Sequence, residues 1–244
     1  PKLVRFICHF HGWQDHVAFG AKGGATGGPV PGELDGIIEN VILIEPGNEQ
    51  LIRETLSSRD DIAGVIMEPT GASFAGVPVT RDFVAAVRDA TTENGVLLMF
   101  DEVVTGFRVS PGGAQAYYGI TPDLTSLAKI LSGGLPGGAV CGHADILELL
   151  DFEIAEEKGF EKIGHQGTYN ANPMSAVAGV AALTEIRDSD ACKRASANGA
   201  KIRARINDVF VEENIPWAAF GDHSAWFVYT NPEGRDIHPK NFDG

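Results

Sequence analysis

Two ionisable groups sit where strand-like stretches are otherwise apolar. In "LLMFDEVVTGFR", residues 97–108, four apolar residues run directly into Asp101 and Glu102. In "SLAKILSGGLPGG", residues 126–138, Lys129 lies between an apolar stretch and a glycine-rich one. A carboxylate next to a core is costly unless something pairs with it. A lysine partly removed from water favours its neutral amine, which is a nucleophile able to form a Schiff base. Each residue also has a plainer reading. Asp101 could cap a helix or pair with an arginine such as Arg108, and Lys129 could be a strand-end lysine reaching solvent.

The elements that must position these residues follow from the pattern of short apolar runs. "LVRFICHF", "VILIEP", "IAGVIMEP", "VLLMFDE" and the stretch around "LTSLAKI" read as strands. A Gly/Pro loop, "GAKGGATGGPVPG", follows the first of them. Between the others lie a helix near 48–58 and a helix that Thr80 caps and Asn94-Gly95 closes, with Phe83, Val84 and Val87 on one face. Near-continuous apolar strands alternating with helices predict an α/β fold, a mostly parallel central sheet covered by helices on both faces. Asn172-Pro173 opens an Ala/Gly-rich helix to about Arg187, which must pack closely. A further helix, about 190–213, carries Ile202, Ile206, Val209 and Phe210 as a stripe. Residues 1–188 are expected to form a large domain and 189–244 the beginning of a smaller C-terminal α+β domain.

In an open parallel sheet, ligands bind beyond the carboxyl ends of the strands. His9, His11, Glu68, Asp101, Glu102 and Lys129 all fall at such ends. A buried carboxylate beside a pyridinium nitrogen keeps that nitrogen protonated and makes the ring an electron sink. Asp101 on the ring nitrogen and Lys129 on the aldehyde carbon would together serve pyridoxal phosphate. Two other chemistries fit less well. His9 and His11 two apart on one strand face suggest a metal, yet no carboxylate or thiol at an obvious spacing completes the set, so no metal is expected. The glycine-rich loops contain neither G-x-G-x-x-G nor G-x-x-x-x-G-K-[ST].

The bulk numbers narrow the partners. The 244 residues are 43% hydrophobic and 21% charged, as in a globular protein, with a net charge of −14. That surface disfavours nucleic-acid backbones and anionic membranes. Cys8, Cys141 and Cys192 are sparse and odd in number, which fits reduced thiols in a cytoplasm. No apolar run approaches the about 18 residues of a membrane span. A chain that starts at Pro1 inside a strand and stops at Gly244 after "SAWFVYT" reads as an internal segment of a longer protein.

"MFDEVVTGFRVSPGGAQAYYGITPDLTSLAKILSGGLPGGAV" and "GHQGTYNANPMSAVAG" resemble the class III, fold-type I aminotransferases, on the branch containing glutamate-1-semialdehyde aminomutase. "CHFHGWQD" and "VIMEPTGASFAGVPV" match that family's preceding elements, so the resemblance runs from residue 6 to about 230. It implies a pyridoxal-phosphate transaminase moving an amino group from an amine or amino acid to a keto acid or aldehyde, with the intramolecular aminomutase as the alternative. It further implies that Lys129 forms the Schiff base and moves the proton between substrate and cofactor. Asp101 would pair with the ring nitrogen, while Val103 and Phe10 would pack on the two ring faces. His11, Glu68 and Gly167 would lie in the cofactor site. Thr168 would reach the cofactor phosphate of a neighbouring subunit, making the active unit a homodimer with shared sites.

The sequence departs from the family at three places. Phe10 stands where the family usually has tyrosine, and Ala72 and Ser73 occupy a longer loop where the aminomutases carry asparagine. "TYNANP" also reads differently, and together these favour an ordinary aminotransferase. The family's main phosphate-cradling loop would lie upstream of Pro1. Trp13, Phe74 and Trp226 are candidates for either a substrate pocket or the core.

Overall fold

The computed structural model describes residues 1–18, 20, 32–71, 77–231 and 233. The loop 20–32 is therefore described only at its two end glycines, and Ala72, Ser73 and Phe74 lie outside the described residues. Six strands make the main sheet: β1 (Lys2–Phe6), β2 (Val41–Ile44), β3 (Ile62–Met67), β4 (Leu97–Asp101), β5 (Leu124–Ala128) and β6 (Gly138–Gly142). Their order is β2-β1-β3-β4-β5-β6. The first five run parallel, and β6 closes the edge antiparallel to β5. The α/β expectation thus holds, with an antiparallel edge strand that "GAVCG" did not announce.

The helices begin and end where local chemistry places them. Helix α1 (Glu49–Ser57) is capped by Asn48, whose side chain accepts from the Leu51 N–H. Helix α2 (Arg81–Glu93) starts at Thr80, whose hydroxyl accepts from the Phe83 N–H, and is followed by Gly95 at φ +64°. Its Phe83, Val84 and Val87 meet Val4, Phe6, Val65, Met67, Leu98 and Phe100 in one core. Phe6 and Phe83 pack edge to face at 5.3 Å. Glu102, buried just after β4, accepts from the Ala114 and Gln115 N–H groups and so starts helix α3 (Gly113–Tyr118). Helix α4 (Phe152–Lys158) is capped by Asp151.

Helix α5 (Pro173–Asp188) opens on Asn172 and Pro173, as the sequence requires. Its small residues have a specific neighbour. A Cβ on Gly179 would stand 2.5 Å from the Leu131 carbonyl oxygen, so the helix lies directly against the turn that begins at Lys129. Met174, Val177 and Val180 remain exposed. Helix α6 (Ala191–Glu212) leads to a hairpin, β7 (Ala218–Asp222) and β8 (Ala225–Tyr229).

Three expectations need correction. β1 ends at Phe6, because Cys8 adopts a left-handed backbone (φ +68°) and turns the chain; His9, Phe10 and His11 lie in the loop beyond it. The expected stripe on α6 is only partly covered: Ile202 and Val209 are exposed, and Cys192 and Gly199 are the buried positions. Gly199 allows close approach of the hairpin, since a Cβ there would meet the His223 carbonyl oxygen at 2.5 Å. Glycines 133, 134, 137 and 138, which the sequence suggests would let the backbone approach a bound ligand, include two that are packed against the chain itself, Gly133 and Gly137. Cβ atoms there would meet the Ala178 carbonyl oxygen and the Ser132 hydroxyl, so they let the chain pack on itself. Phe83→Ala should lower the unfolding free energy by about 3–5 kcal/mol in urea denaturation, since the ring is 1% exposed in the core. A loss below about 1 kcal/mol would contradict this core assignment.

Candidate active site

Four neighbouring strands deliver the sequence-predicted residues to one edge. In the order β1-β3-β4-β5, the chain beyond their carboxyl ends supplies His9, Phe10 and His11, then Glu68, then Asp101 with Glu102, then Lys129. Asp101 is in register with Ser126, so Lys129 begins three residues further along the adjacent strand. At 3.3 Å per residue that is roughly 10 Å at most.

Asp101 is 7% exposed. Its Oδ2 lies 2.8 Å from His11 Nδ1, and its Oδ1 accepts from the Val103 N–H at 3.1 Å. Arg108, the arginine considered above, turns instead to the Val104 carbonyl oxygen. The alternation of side chains at a strand end sends the next residue elsewhere. Glu102 is fully buried and accepts from the Thr105 hydroxyl, the Ala114 and Gln115 N–H groups and the Gln115 side-chain amide. A Cβ on Gly113 (φ +72°) would collide with this carboxylate. Of the paired acids, Glu102 holds the fold and Asp101 is left to the site.

Lys129 is the exposed first residue of a 3₁₀ turn, Lys129–Ser132, and carries a left-handed backbone at φ +50°. A non-glycine residue there is strained by about 1–3 kcal/mol, and such residues collect at functional sites. The expected partial desolvation of this lysine is not provided by the described residues. They instead fix its position, since the turn is backed by α5 and the Ser175 hydroxyl donates to the Pro136 carbonyl oxygen.

Glu68 is buried, and its Oε1 accepts from the Phe10 N–H at 2.7 Å. This bond ties the loop after β1 to the end of β3 and leaves the Phe10 ring 53% exposed. Val103 is half-buried. Gly167 and Thr168 lie in an exposed turn, closed by an Asn170 N–H to Gly167 carbonyl bond of 3.0 Å. A Cβ on Gly167 would meet Asn170 Oδ1 at 2.7 Å. Trp13 is exposed and Trp226 half-buried in the hairpin.

Sequence reasoning did not foresee the histidine–aspartate contact or the role of Arg5. His9 is fully buried, and its Nδ1 accepts from the Glu68 N–H at 2.9 Å. Arg5, in the middle of β1, is buried, with Nη2 3.4 Å from the His9 carbonyl oxygen. Burial lowers the Arg5 pKa to about 10. Its signal was visible as a charge within "LVRF", the same anomaly that marked Asp101. Burial, His11 and Arg5 together push the His9 imidazole well below its usual range. Burial also lowers His11, against its hydrogen bond to Asp101 and the charge of that carboxylate.

Comparison with known proteins places the chain in a family. A model of the class-III aminotransferases matches residues 39–215. The chain belongs to the class-III aminotransferases. Glutamate-1-semialdehyde 2,1-aminomutase of Methanococcoides burtonii is 34% identical over 232 residues, which cover 93% of this chain and 53% of that protein. An omega-transaminase from Sphaerobacter thermophilus shares the fold with a TM-score of 0.82 and 28% identity, over 97% of this chain and 55% of that one. A transaminase solved with PLP bound gives 0.82 and 27%, over 93% and 53%. These neighbours make the sheet that of the fold-type I transferases. The chain spans about half the length of the curated relatives it matches. Among the described residues, no helix is long and apolar enough to cross a membrane, and no cluster of three or more His, Cys, Asp or Glu is placed to hold a metal.

The two histidines predict a pH dependence of stability. Above about pH 6.5 both are neutral whether folded or not, and they contribute nothing to the slope. As pH falls below that value the unfolded chain takes up protons that the folded chain refuses, so stability drops. Each histidine should contribute up to about 1.4 kcal/mol per pH unit. Urea unfolding between pH 7 and 5 should show a shallower decline in His9→Asn, where the amide oxygen still accepts from Glu68. An unchanged slope would mean that His9 is not held neutral.

Proposed function

We propose that the intact protein is a pyridoxal-phosphate aminotransferase, acting as a homodimer with shared sites. It would move an amino group from a small amine or amino acid to a keto acid or aldehyde. The observation that carries this reading is the placement of a strained Lys129 and a buried Asp101 at the carboxyl ends of adjacent parallel strands. The residues fit the cofactor. Asp101 is a buried carboxylate with no lysine or arginine in ion-pair range among the described residues, and Lys129 is an exposed residue. Phe10 offers an open aromatic face, and Val103 follows directly on Asp101.

When bound, the cofactor supplies an electron sink for the pair left on a substrate carbon. The residues of this chain do the rest. Asp101 would hold the proton on the ring nitrogen, and Phe10 and Val103 would pack against the ring. His11 and Glu68 support this wall: His11 hydrogen-bonds Asp101, and Glu68 fixes the backbone at Phe10. Lys129 would hold the cofactor through its side-chain amine and would be the group that moves a proton during amino transfer. Thr168, with Gly167 shaping its turn, is exposed and available to the phosphate of a neighbouring subunit. The exposed Tyr169, Met174, Val177 and Val180 support a partner surface beside it. Residues 1–188 serve as the cofactor-binding domain, and 189–244 begin the smaller one.

A second reading is favoured by the relatives' names: an intramolecular glutamate-1-semialdehyde 2,1-aminomutase on the same scaffold. Ala72 and Ser73, where the aminomutases carry asparagine, and the different reading around "TYNANP" support the transaminase. The two separate when the intact enzyme receives either glutamate-1-semialdehyde alone or an amino donor with an added keto acid. Product from the first mixture and none from the second would establish the mutase.

In the full-length protein, Lys129→Ala should remove the visible absorbance of lysine-bound cofactor. It should also slow amino transfer by at least about 10²–10⁴-fold, the contribution of a positioned proton carrier. Absence of that band in the wild-type protein with added pyridoxal phosphate would refute the assignment.

A further inference from the structure

Asp101 must be held by hydrogen bonds and still keep a charge to offer. Among the described residues, the His11 imidazole is the one basic group within ion-pair distance of it. Were that ring an imidazolium, the two would form a closed ion pair, and the charge of Asp101 would already be cancelled. The polarity of the surrounding hydrogen bonds argues otherwise.

A backbone N–H can only donate. The Glu68 N–H stands 2.9 Å from His9 Nδ1, so that nitrogen is bare and the His9 proton sits on Nε2. His9 is thereby a neutral ring, with its centroid 6.1 Å from that of His11. A carboxylate can only accept, which puts the His11 proton on Nδ1, facing Asp101 Oδ2. The other nitrogen, Nε2, is buried without a hydrogen-bond partner among the described residues, on a side chain that is 1% exposed. His9 Nε2 is buried and unpartnered among them as well, so the one N–H that His9 carries there already lacks an acceptor. An imidazolium would carry a second N–H at that point, charged and with no acceptor. A neutral ring has only a lone pair there, which costs less. The charged groups around His11 are Asp101, which favours a proton, and Arg5, which opposes one; burial also opposes it. The neutral ring keeps the hydrogen bond to Asp101 and avoids a second cation near Arg5.

We infer that His11 is a neutral positioning residue, which donates one hydrogen bond to Asp101 and leaves that carboxylate's charge uncancelled for a cationic ring nitrogen. The Val103 N–H holds the other oxygen, so both oxygens are oriented by neutral donors. The identity of the ring rests on the function proposed above, whereas the state of His11 is a property of this chain alone.

Two measurements on the full-length protein test it. In the cofactor-free wild type with ¹⁵N-labelled histidine, long-range proton–nitrogen correlation near neutral pH should show His11 protonated on Nδ1 only and His9 on Nε2 only. Two protonated nitrogens on His11 would overturn the inference. In titrations with pyridoxal phosphate, His11→Phe should weaken binding about 10–100-fold, the usual size for a supporting residue behind a ligand-holding group. His11→Asn should recover most of that loss, because its amide N–H can still donate to Asp101. Equal weakening in both variants, or none in His11→Phe, would also overturn it. If the wild type takes up no pyridoxal phosphate, the proposed function falls while the nitrogen shifts still decide the state of His11.

Discussion

For the proposed function, the carboxylate at the end of a buried strand has to be oriented without being neutralised. Asp101 meets that condition with two hydrogen bonds, from the Val103 N–H and from His11. A lysine or arginine in either place would give a tight pair with no charge left over. Much of the surrounding structure follows from this. The loop after β1 turns at Cys8 so that His11 can reach Asp101, and Glu68 anchors the loop through the Phe10 N–H. His9, locked by the Glu68 N–H, fills the space behind with a neutral ring.

Asp101 and Glu102 show how one dipeptide serves two purposes. Successive residues at a strand end face opposite ways, so the two carboxylates enter different surroundings. Glu102 receives four hydrogen bonds within its own stretch of chain, residues 105 to 115, and fixes the start of α3. Asp101 is served by a residue ninety positions away in the chain. The acid satisfied locally is structural, and the acid satisfied across the sheet is the one the proposed function uses. Lys129 is placed by the same economy: its strained turn rests on α5, whose small residues allow the contact.

Much of the fold was legible because its signals are local. Asn48, Thr80 and Asn172 start helices by bonding N–H groups two or three residues on, a reach that sequence spacing displays. The parallel strands were legible from continuous apolar runs, because a sheet covered by helices leaves little room for polar alternation. Less legible were β6 and the stripe on α6. "GAVCG" has no apolar run to mark it, and Gly199 is buried because the hairpin at His223 approaches it. No spacing rule encodes either. The glycines near Lys129 misled for a related reason, since a glycine records a close approach without naming what approaches.

By itself the sequence determined that Lys129 and Asp101 stand out as ionisable residues at the ends of apolar strands. Their motifs determined the class-III aminotransferase family. Those conclusions depend on residue type and short-range spacing, which the chain carries openly. Tertiary structure alone decided that β4 and β5 are neighbours, that His11 is the group facing Asp101, and that Glu102 belongs to the fold. Such pairings join residues far apart in the chain. They are fixed by strand order and by the requirement that buried polar atoms find partners, conditions that exist only once the sheet has formed.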